Sequence, residues 1–273
     1  LWTTSGDGTW DDATIANPIY TPGAADIAGT NNTVTLTMTV SNAPCADSTD
    51  AIALTIYDVP TADAGALTAS ICETGTYQLV GTATTSVTGT ISWTTSGDGT
   101  FDDPTIEDPV YTPGFNDSAG VNTMVTLTMT VSNAPCADAI DAIDLTIYDV
   151  PTADAGPTTD DMCETDITYT LSTASAGTGT ILWTTSGDGT WDDATIANPT
   201  YTPGAGDLLV PNPTVTLTMT VSNGPCSPAV ASMDLTIYDT PTADAGLDVD
   251  VCDINLPYTL STAIAGTGTI LWT

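Results

Sequence analysis

The chain has 273 residues; 34 are Asp or Glu and none is Lys, Arg or His, which leaves a formal net charge of −34. Without a cationic side chain it cannot neutralise phosphates, which excludes nucleic acid and anionic membrane surfaces as direct partners. The lack of imidazole and amine also excludes a Ser-His-Asp triad, a Schiff base and lysine-dependent isopeptide crosslinks, and a buried carboxylate must be balanced by hydrogen bonds or a metal ion. Hydrophobic residues nonetheless make up 41% of the chain and charged ones only 12%, a balance suited to buried cores and not to an acidic tail.

The first element begins at Trp2 with Trp-Thr-Thr-Ser-Gly-Asp-Gly-Thr, a phrase that returns at Trp93 and Trp183 and starts again at Trp272. Next comes Val-Thr-Leu-Thr-Met-Thr-Val, beginning at Val34, Val125 and Val215, and then Pro-Thr-Ala-Asp-Ala-Gly, beginning at Pro60, Pro151 and Pro241. A period near 90 residues is too long for a solenoid coil and matches a small β-sandwich. Inside each period the pattern alternates by two. Val125, Leu127, Met129 and Val131 are expected on one strand face and threonines on the other; Ile143, Leu145 and Ile147 form a second such strand, and Ile91 with Trp93 a third. Gly, Pro, Asn and Asp clusters separate these strands, and no window has helical periodicity. The fold class expected is all-β, a tandem array of antiparallel sandwiches. A strand from Ala142 to Tyr148 closes each period, and a short linker from Asp149 to Gly156, stiffened by Pro151, follows it. The expected units are 1–59 (the C-terminal part of a repeat), 60–150 and 151–240 (complete), and 241–273 (the N-terminal part of another), a window of a longer array.

The phrase Trp-x-x-Ser-Gly-Asp-Gly, the turn Pro109 to Gly114 and the strand Val-Thr-Leu-Thr-x-Thr-Val together resemble PKD-type immunoglobulin-like domains. The version here, with two cysteines per period, is similar to tandem repeats of giant secreted Bacteroidota surface proteins, including gliding adhesins. It departs from the PKD phrase in carrying Thr-Thr-Ser before Gly-Asp-Gly. The resemblance implies an immunoglobulin-like sandwich; for function it implies no more than stalk, adhesin or spacer roles.

The cysteines form two series, Cys45, Cys136, Cys226 and Cys72, Cys163, Cys252, and suggest disulfides and an extracellular setting. Under the topology implied by the resemblance, Cys72 and Cys136 lie at opposite poles of a unit, roughly 30 Å apart, whereas a disulfide needs Cα atoms within about 7 Å. Pairing of Cys72 with Cys226 of the next unit is therefore expected, with Cys72–Cys136 and Cys163–Cys226 within units as the alternative. The same topology gathers Asp98, Asp149 and Asp154 toward the junctions, with Asp7, Asp58, Asp63 and Asp188, Asp239, Asp244 as their equivalents. These are candidate calcium ligands, since calcium accepts irregular oxygen-rich loops; Asp also favours turns through its own backbone. No other cofactor is expected. Asn31 and Asn116 match the N-glycosylation sequon, and Ser48 and Ser118 resemble Bacteroidota O-glycosylation sites. Trp10, Phe101 and Trp191 recur after Gly-Asp-Gly, where packing against the next strand competes with sugar stacking.

The function expected is structural, not enzymatic: a segment of a long extracellular filament or adhesin stalk at the cell surface, rigidified by disulfides and calcium. Its partners would be neighbouring repeats, like chains in a filament and surface glycans. The alternative is an array of carbohydrate- or surface-binding modules acting by avidity.

Overall fold

The computed structural model describes residues 1–29, 31–80, 89–252, 257–271 and 273; Trp272, the start of the fourth copy, lies outside the described residues. The chain divides into two compact units, Leu1–Tyr148 and Asp149–Thr273.

In the first unit the strands are β1 (Trp2–Thr4), β2 (Thr9–Trp10), β3 (Tyr20–Thr21), β4 (Asn32–Val40), β5 (Ser48–Ile56), β6 (Thr68–Cys72), β7 (Tyr77–Gln78), β8 (Thr90–Thr95), β9 (Thr100–Phe101), β10 (Val110–Thr112), β11 (Thr123–Ser132) and β12 (Ala139–Tyr148). A four-stranded sheet runs β6-β12-β11-β8 and a three-stranded one β7-β10-β9. The core sits on Val125, Leu127, Met129 and Val131 of β11 and Ile143, Leu145 and Ile147 of β12, with Trp93, Tyr111 and Leu79. Full burial of each such aliphatic side chain stabilises by roughly 2 kcal/mol. The intervening threonines of β11 are half-buried on the opposite face, where Thr126 Oγ1 donates to Asp144 Oδ1 of the neighbouring strand at 2.8 Å. Residues 1–59 form a smaller sheet, β1-β4-β5, and the pair β2-β3.

The second unit comprises β13 (Ala153–Asp154), β14 (Thr159–Cys163), β15 (Tyr169–Thr170), β16 (Ser175–Ala176), β17 (Thr180–Thr185), β18 (Thr190–Trp191), β19 (Thr200–Thr202), β20 (Thr214–Ser222), β21 (Ala229–Tyr238), β22 (Ala243–Asp244) and β23 (Ile264–Ala265). Its sheets run β14-β21-β20-β17, β15-β19-β18, β13-β16 and β22-β23. Its core repeats the first one, with Val215, Leu217, Met219 and Val221 facing Met233, Leu235 and Ile237 around Trp183 and Tyr201. The fold is all-β, and the alternation read from the sequence corresponds to the buried faces.

Three details differ from the sequence reading. Among the described residues the ladders are antiparallel except two: β6 runs parallel to β12 and β14 parallel to β21, because the first strand of each fold joins the sheet beside the last and points the same way. The closing strand begins at Ala139, three residues before the expected Ala142. The linker is also shorter, since Ala153–Asp154 already pairs with Ser175–Ala176 and Ala155 is buried in the core.

Candidate functional site

The Gly-Asp-Gly phrase folds around a buried carboxylate that sequence reasoning missed. Asp117 is 2% exposed and stands in a single turn of 3-10 helix, Asn116–Ser118. Its Oδ1 accepts the backbone N–H of Asp98 at 2.9 Å, and its Oδ2 accepts the Tyr111 hydroxyl at 2.5 Å and the Gly114 N–H at 2.8 Å. Asp98 returns the contact: its carboxylate accepts the N–H groups of Asn116 and Asp117 at 3.1 and 3.2 Å and the Asn116 amide at 2.8 Å. The two loops thus hold each other through reciprocal carboxylate-to-backbone bonds, in a chain that has no cationic side chain to offer. The copies behave alike. Asp26 accepts from Asp7, Tyr20 and Gly23, and Asp207 from Asp188, Tyr201 and Gly204.

The electrostatics follow from this geometry. Burial pushes the Asp117 carboxyl up, but the hydrogen bonds from Tyr111, Gly114, Asp98 and Gly99 together outweigh it and leave the group below its ordinary value; Asp207 behaves in the same way. Burial, reinforced by the adjacent carboxylates, pushes the Tyr111 and Tyr201 hydroxyls up to about 12. The flanking glycines are required by close approach: a Cβ on Gly97 would lie 1.7 Å from Asp117 Oδ1, and one on Gly99 2.5 Å from the Thr112 carbonyl oxygen.

A second constellation surrounds the segment Tyr57–Pro60 in the first unit. Asn31 adopts a left-handed backbone, φ 51°, which Asn tolerates better than most residues. Its Oδ1 accepts the Asp58 N–H at 3.1 Å and the Asn133 amide at 3.0 Å, while its own amide donates to Asn133 Oδ1 at 3.3 Å. Asn133, buried, also donates to the Asp58 carbonyl at 2.8 Å. Asp58 is therefore clasped from both sides by neutral amides. In the second unit Asn212 and Asp239 exchange bonds at 3.0 and 3.3 Å, and Asn223 donates to the Asp149 carbonyl at 2.9 Å.

The nine candidate calcium ligands are distributed over loops of their own. Besides Asp98, the Asp7 carboxylate accepts the N–H groups of Ala25 and Asp26 and that of Asp188 those of Gly206 and Asp207. Asp63, Asp154 and Asp244 each accept the N–H two residues on, from Gly65, Gly156 and Gly246, and Asp149 accepts the Thr178 hydroxyl. Among the described residues no three Asp, Glu or Cys side chains assemble as a metal site. The Asp102-Asp103 and Asp192-Asp193 pairs are turn formers: Asp102 Oδ1 accepts the Val110 N–H and Asp103 Oδ1 both groups of Thr105, with the equivalents repeated at Asp192 and Asp193.

Cys72 and Cys226 are disulfide-bonded, whereas Cys45, Cys136, Cys163 and Cys252 are free thiols. Of the glycosylation candidates, Asn31 has both ends of its amide engaged in the clasp. The Asn116 amide bonds Asp98 and Ser118 donates to the Gly114 carbonyl at 3.2 Å, while Ser48 opens β5 on an exposed stretch. The recurring aromatics turn inward: Phe101 stacks between Trp93 and Tyr111, and Trp191 between Trp183 and Tyr201, at centroid separations of 5.0–6.0 Å.

The signal for the buried carboxylate lay in the repeats themselves. In the otherwise variable loops after Tyr-Thr-Pro-Gly, Asp26, Asp117 and Asp207 recur in all three copies, always three residues after the glycine, as do Asn31, Asn122 and Asn212 eight residues after it.

The chain matches no protein-family model and no curated relative. Among solved structures it is similar to the titin I-band fragment I67-I69, at 10% identity over 88% of this chain and 87% of that one, with a TM-score of 0.46. It is also similar to mouse cadherin-23 EC22-24, at 14% identity over 88% and 85% with a TM-score of 0.36. A protocadherin gamma B2 fragment, domains 1-5, matches at 12% identity over 90% of this chain with a TM-score of 0.36, and the chain spans 55% of that fragment's length. No helix among the described residues is long and apolar enough to cross a membrane.

Proposed function

We propose that the chain is a structural segment of a long extracellular filament or adhesin stalk, and not an enzyme. In this reading immunoglobulin-like repeats run head to tail, with boundaries at 59/60, 150/151 and 240/241. The observation that carries it is the amide clasp on Asp58. Asn31 precedes the joint and Asn133 follows it, and both hold the same linker residue, so bending the joint must break partly buried hydrogen bonds. Each such bond is worth about 1 kcal/mol net and more if its partner is left buried and unsatisfied. By the repeat period Asn122 and Asn212 stand where Asn31 does, and Asn223 where Asn133 does, so the same device would brace successive joints. The disulfide state of Cys72 and Cys226 supports pairing of these two across the joint between repeats 60–150 and 151–240. Inward stacking of Phe101 and Trp191 supports a spacer over a glycan-binding array.

Small-angle scattering on the full chain tests this. The expected curve is that of a semi-rigid particle, and Asn133→Ala should raise its flexibility while the circular dichroism of the sheets stays unchanged. Compact or freely jointed behaviour of the unaltered chain would overturn the stalk reading. Calcium at the joints is a separate part of the proposal. A rise in flexibility on adding chelator supports it, and an unchanged curve removes calcium from the account, leaving amides and disulfide as the stiffeners.

A further inference from the structure

The two disulfide-bonded cysteines are tied to consecutive residues of the chain. Cys72 closes β6 and lies opposite Tyr148, the last residue of β12, in a parallel ladder, where neighbouring strands run about 4.8 Å apart. The Glu73 N–H extends that ladder by donating to the Tyr148 carbonyl at 2.8 Å. The next residue, Asp149, accepts the Asn223 amide on its carbonyl oxygen at 2.9 Å. Cys226, three residues further on, donates its N–H to the Asn223 carbonyl at 3.1 Å and is buried. The preceding repeat boundary has the same arrangement inside one unit. There Asn133 holds the Asp58 carbonyl, and the Cys136 thiol donates at 3.6 Å to the carbonyl oxygen of Tyr57, the repeat equivalent of Tyr148. Cys72 and Cys226 are both disulfide-bonded; bonded to each other, they close a loop over residues 73–225.

Such a loop changes the route that tension takes. A pull along the chain reaches the fold of residues 60–150 at the N-terminal end of β6. Without a bridge it leaves through the C-terminal end of β12, so it must cross the ladder between Thr68–Cys72 and Asp144–Tyr148. Those parallel strands are then drawn past each other, and only hydrogen bonds, far weaker than a covalent link, resist the shear. With the bridge, tension runs the length of β6, leaves at Cys72, crosses the Sγ–Sγ bond to Cys226 and runs the length of β21. Both strands already rise about 3.3 Å per residue, so neither has length to give. The core residues Trp93, Leu127 and Met129 of one fold and Trp183, Leu217 and Met219 of the other lie inside the loop and off this route.

We infer that a Cys72–Cys226 bridge is a load-bearing bypass: it carries tension from β6 to β21 and keeps both complete folds closed while the chain is pulled. The inference rests on the cysteine pairing of the stalk reading and adds a mechanical function to it. About 150 residues lie inside the loop, and at ~3.4 Å per extended residue the bridge withholds roughly 500 Å of slack. A segment linked in this way passes on a pull without lengthening. Opened to two thiols by a reductant such as dithiothreitol, which takes up the disulfide as its own, it becomes extensible.

Two measurements on the 273-residue chain test this. Peptide mapping of the unreduced protein after cleavage at Asp should find Cys72 joined to Cys226. A peptide joining Cys72 to Cys136 would overturn the bypass and leave the stalk reading to its scattering test. In single-molecule pulling through tags fused to both ends, the reduced protein should release two steps of about 300 Å, one for each complete fold of about 90 residues. At the same force the linked protein should release neither, and its final length should fall short of the reduced one by roughly 500 Å. Cys72→Ser should restore both long steps without reductant, and Cys136→Ser should leave the linked trace unchanged. A short step in the linked protein at the force that unfolds the reduced one would mean that a complete fold opens although bracketed. Tension would then pass through the cores and not around them, and the inference would fall even with the pairing confirmed.

Discussion

Asp117 and Tyr111 show how a chain without cations handles a buried charge. The negative group is surrounded by backbone N–H donors and one phenol, and close glycines let those donors approach. A depressed carboxyl contributes stability that is present above the unfolded value, near 4, and lost as pH falls through the folded one. A raised phenol contributes stability that is present below about 10 and lost as pH rises toward 12. Thermal midpoints should therefore be flat between about pH 4 and 10 and fall on either side, and Tyr111→Phe with Tyr201→Phe should remove much of the alkaline fall. A second residue-scale prediction comes from the indole of Trp191, whose buried Nε1–H has no hydrogen-bond partner, at a position where another copy carries Phe101. Trp191→Phe removes an unsatisfied donor that costs about 1 kcal/mol, so calorimetry should find the variant at least as stable as the parent. At this scale the strand aromatics were legible from their alternation with Ile91 and Ile181. The buried carboxylates were not, because Asp98 and Asp117 are 19 residues apart and neither local spacing nor hydropathy reports a contact across that distance.

Strands of identical sequence behave differently according to what covers them. The run Val-Thr-Leu-Thr-Met-Thr-Val is fully buried on one face in β11 and β20, but in β4 Met38 is only half-buried. Met129→Ala should therefore destabilise its fold by about 3 kcal/mol, the usual cost of truncating a fully buried methionine, and Met38→Ala by less than about 1 kcal/mol. Urea titration followed by tryptophan fluorescence would compare them, and equal losses would contradict the burial difference. The period-two pattern made these strands and their inward faces readable. It could not reveal that the first strand of each fold joins the sheet in parallel, since alternation is the same for either direction. Nor could it reveal that Ala153–Asp154 is a strand: two residues between Pro151 and Gly156 look like linker until their partner at Ser175–Ala176 is seen.

For the whole molecule the decisive number is −34. The charge is carried mainly by exposed loops and strand faces, where repulsion is screened by salt and short in range. Raising ionic strength from about 0.01 to 0.15 M shortens that range from about 30 to 8 Å, so the thermal midpoint should rise over this interval and then level off. A flat response would mean that the carboxylates are already neutralised by their own hydrogen bonds. The repeat period and the cysteine series made an array of similar folds legible from the sequence. The clasp on Asp58 was not, because it depends on a left-handed asparagine meeting a residue 102 positions away.

The clasp is built from amides, which gain and lose no proton at any pH a protein meets, while the carboxylate and phenol inside each fold do both. In strong acid or alkali the clasp should therefore never be the first part to give way: it should hold until the fold that carries the buried Asn133 melts, and fail together with it.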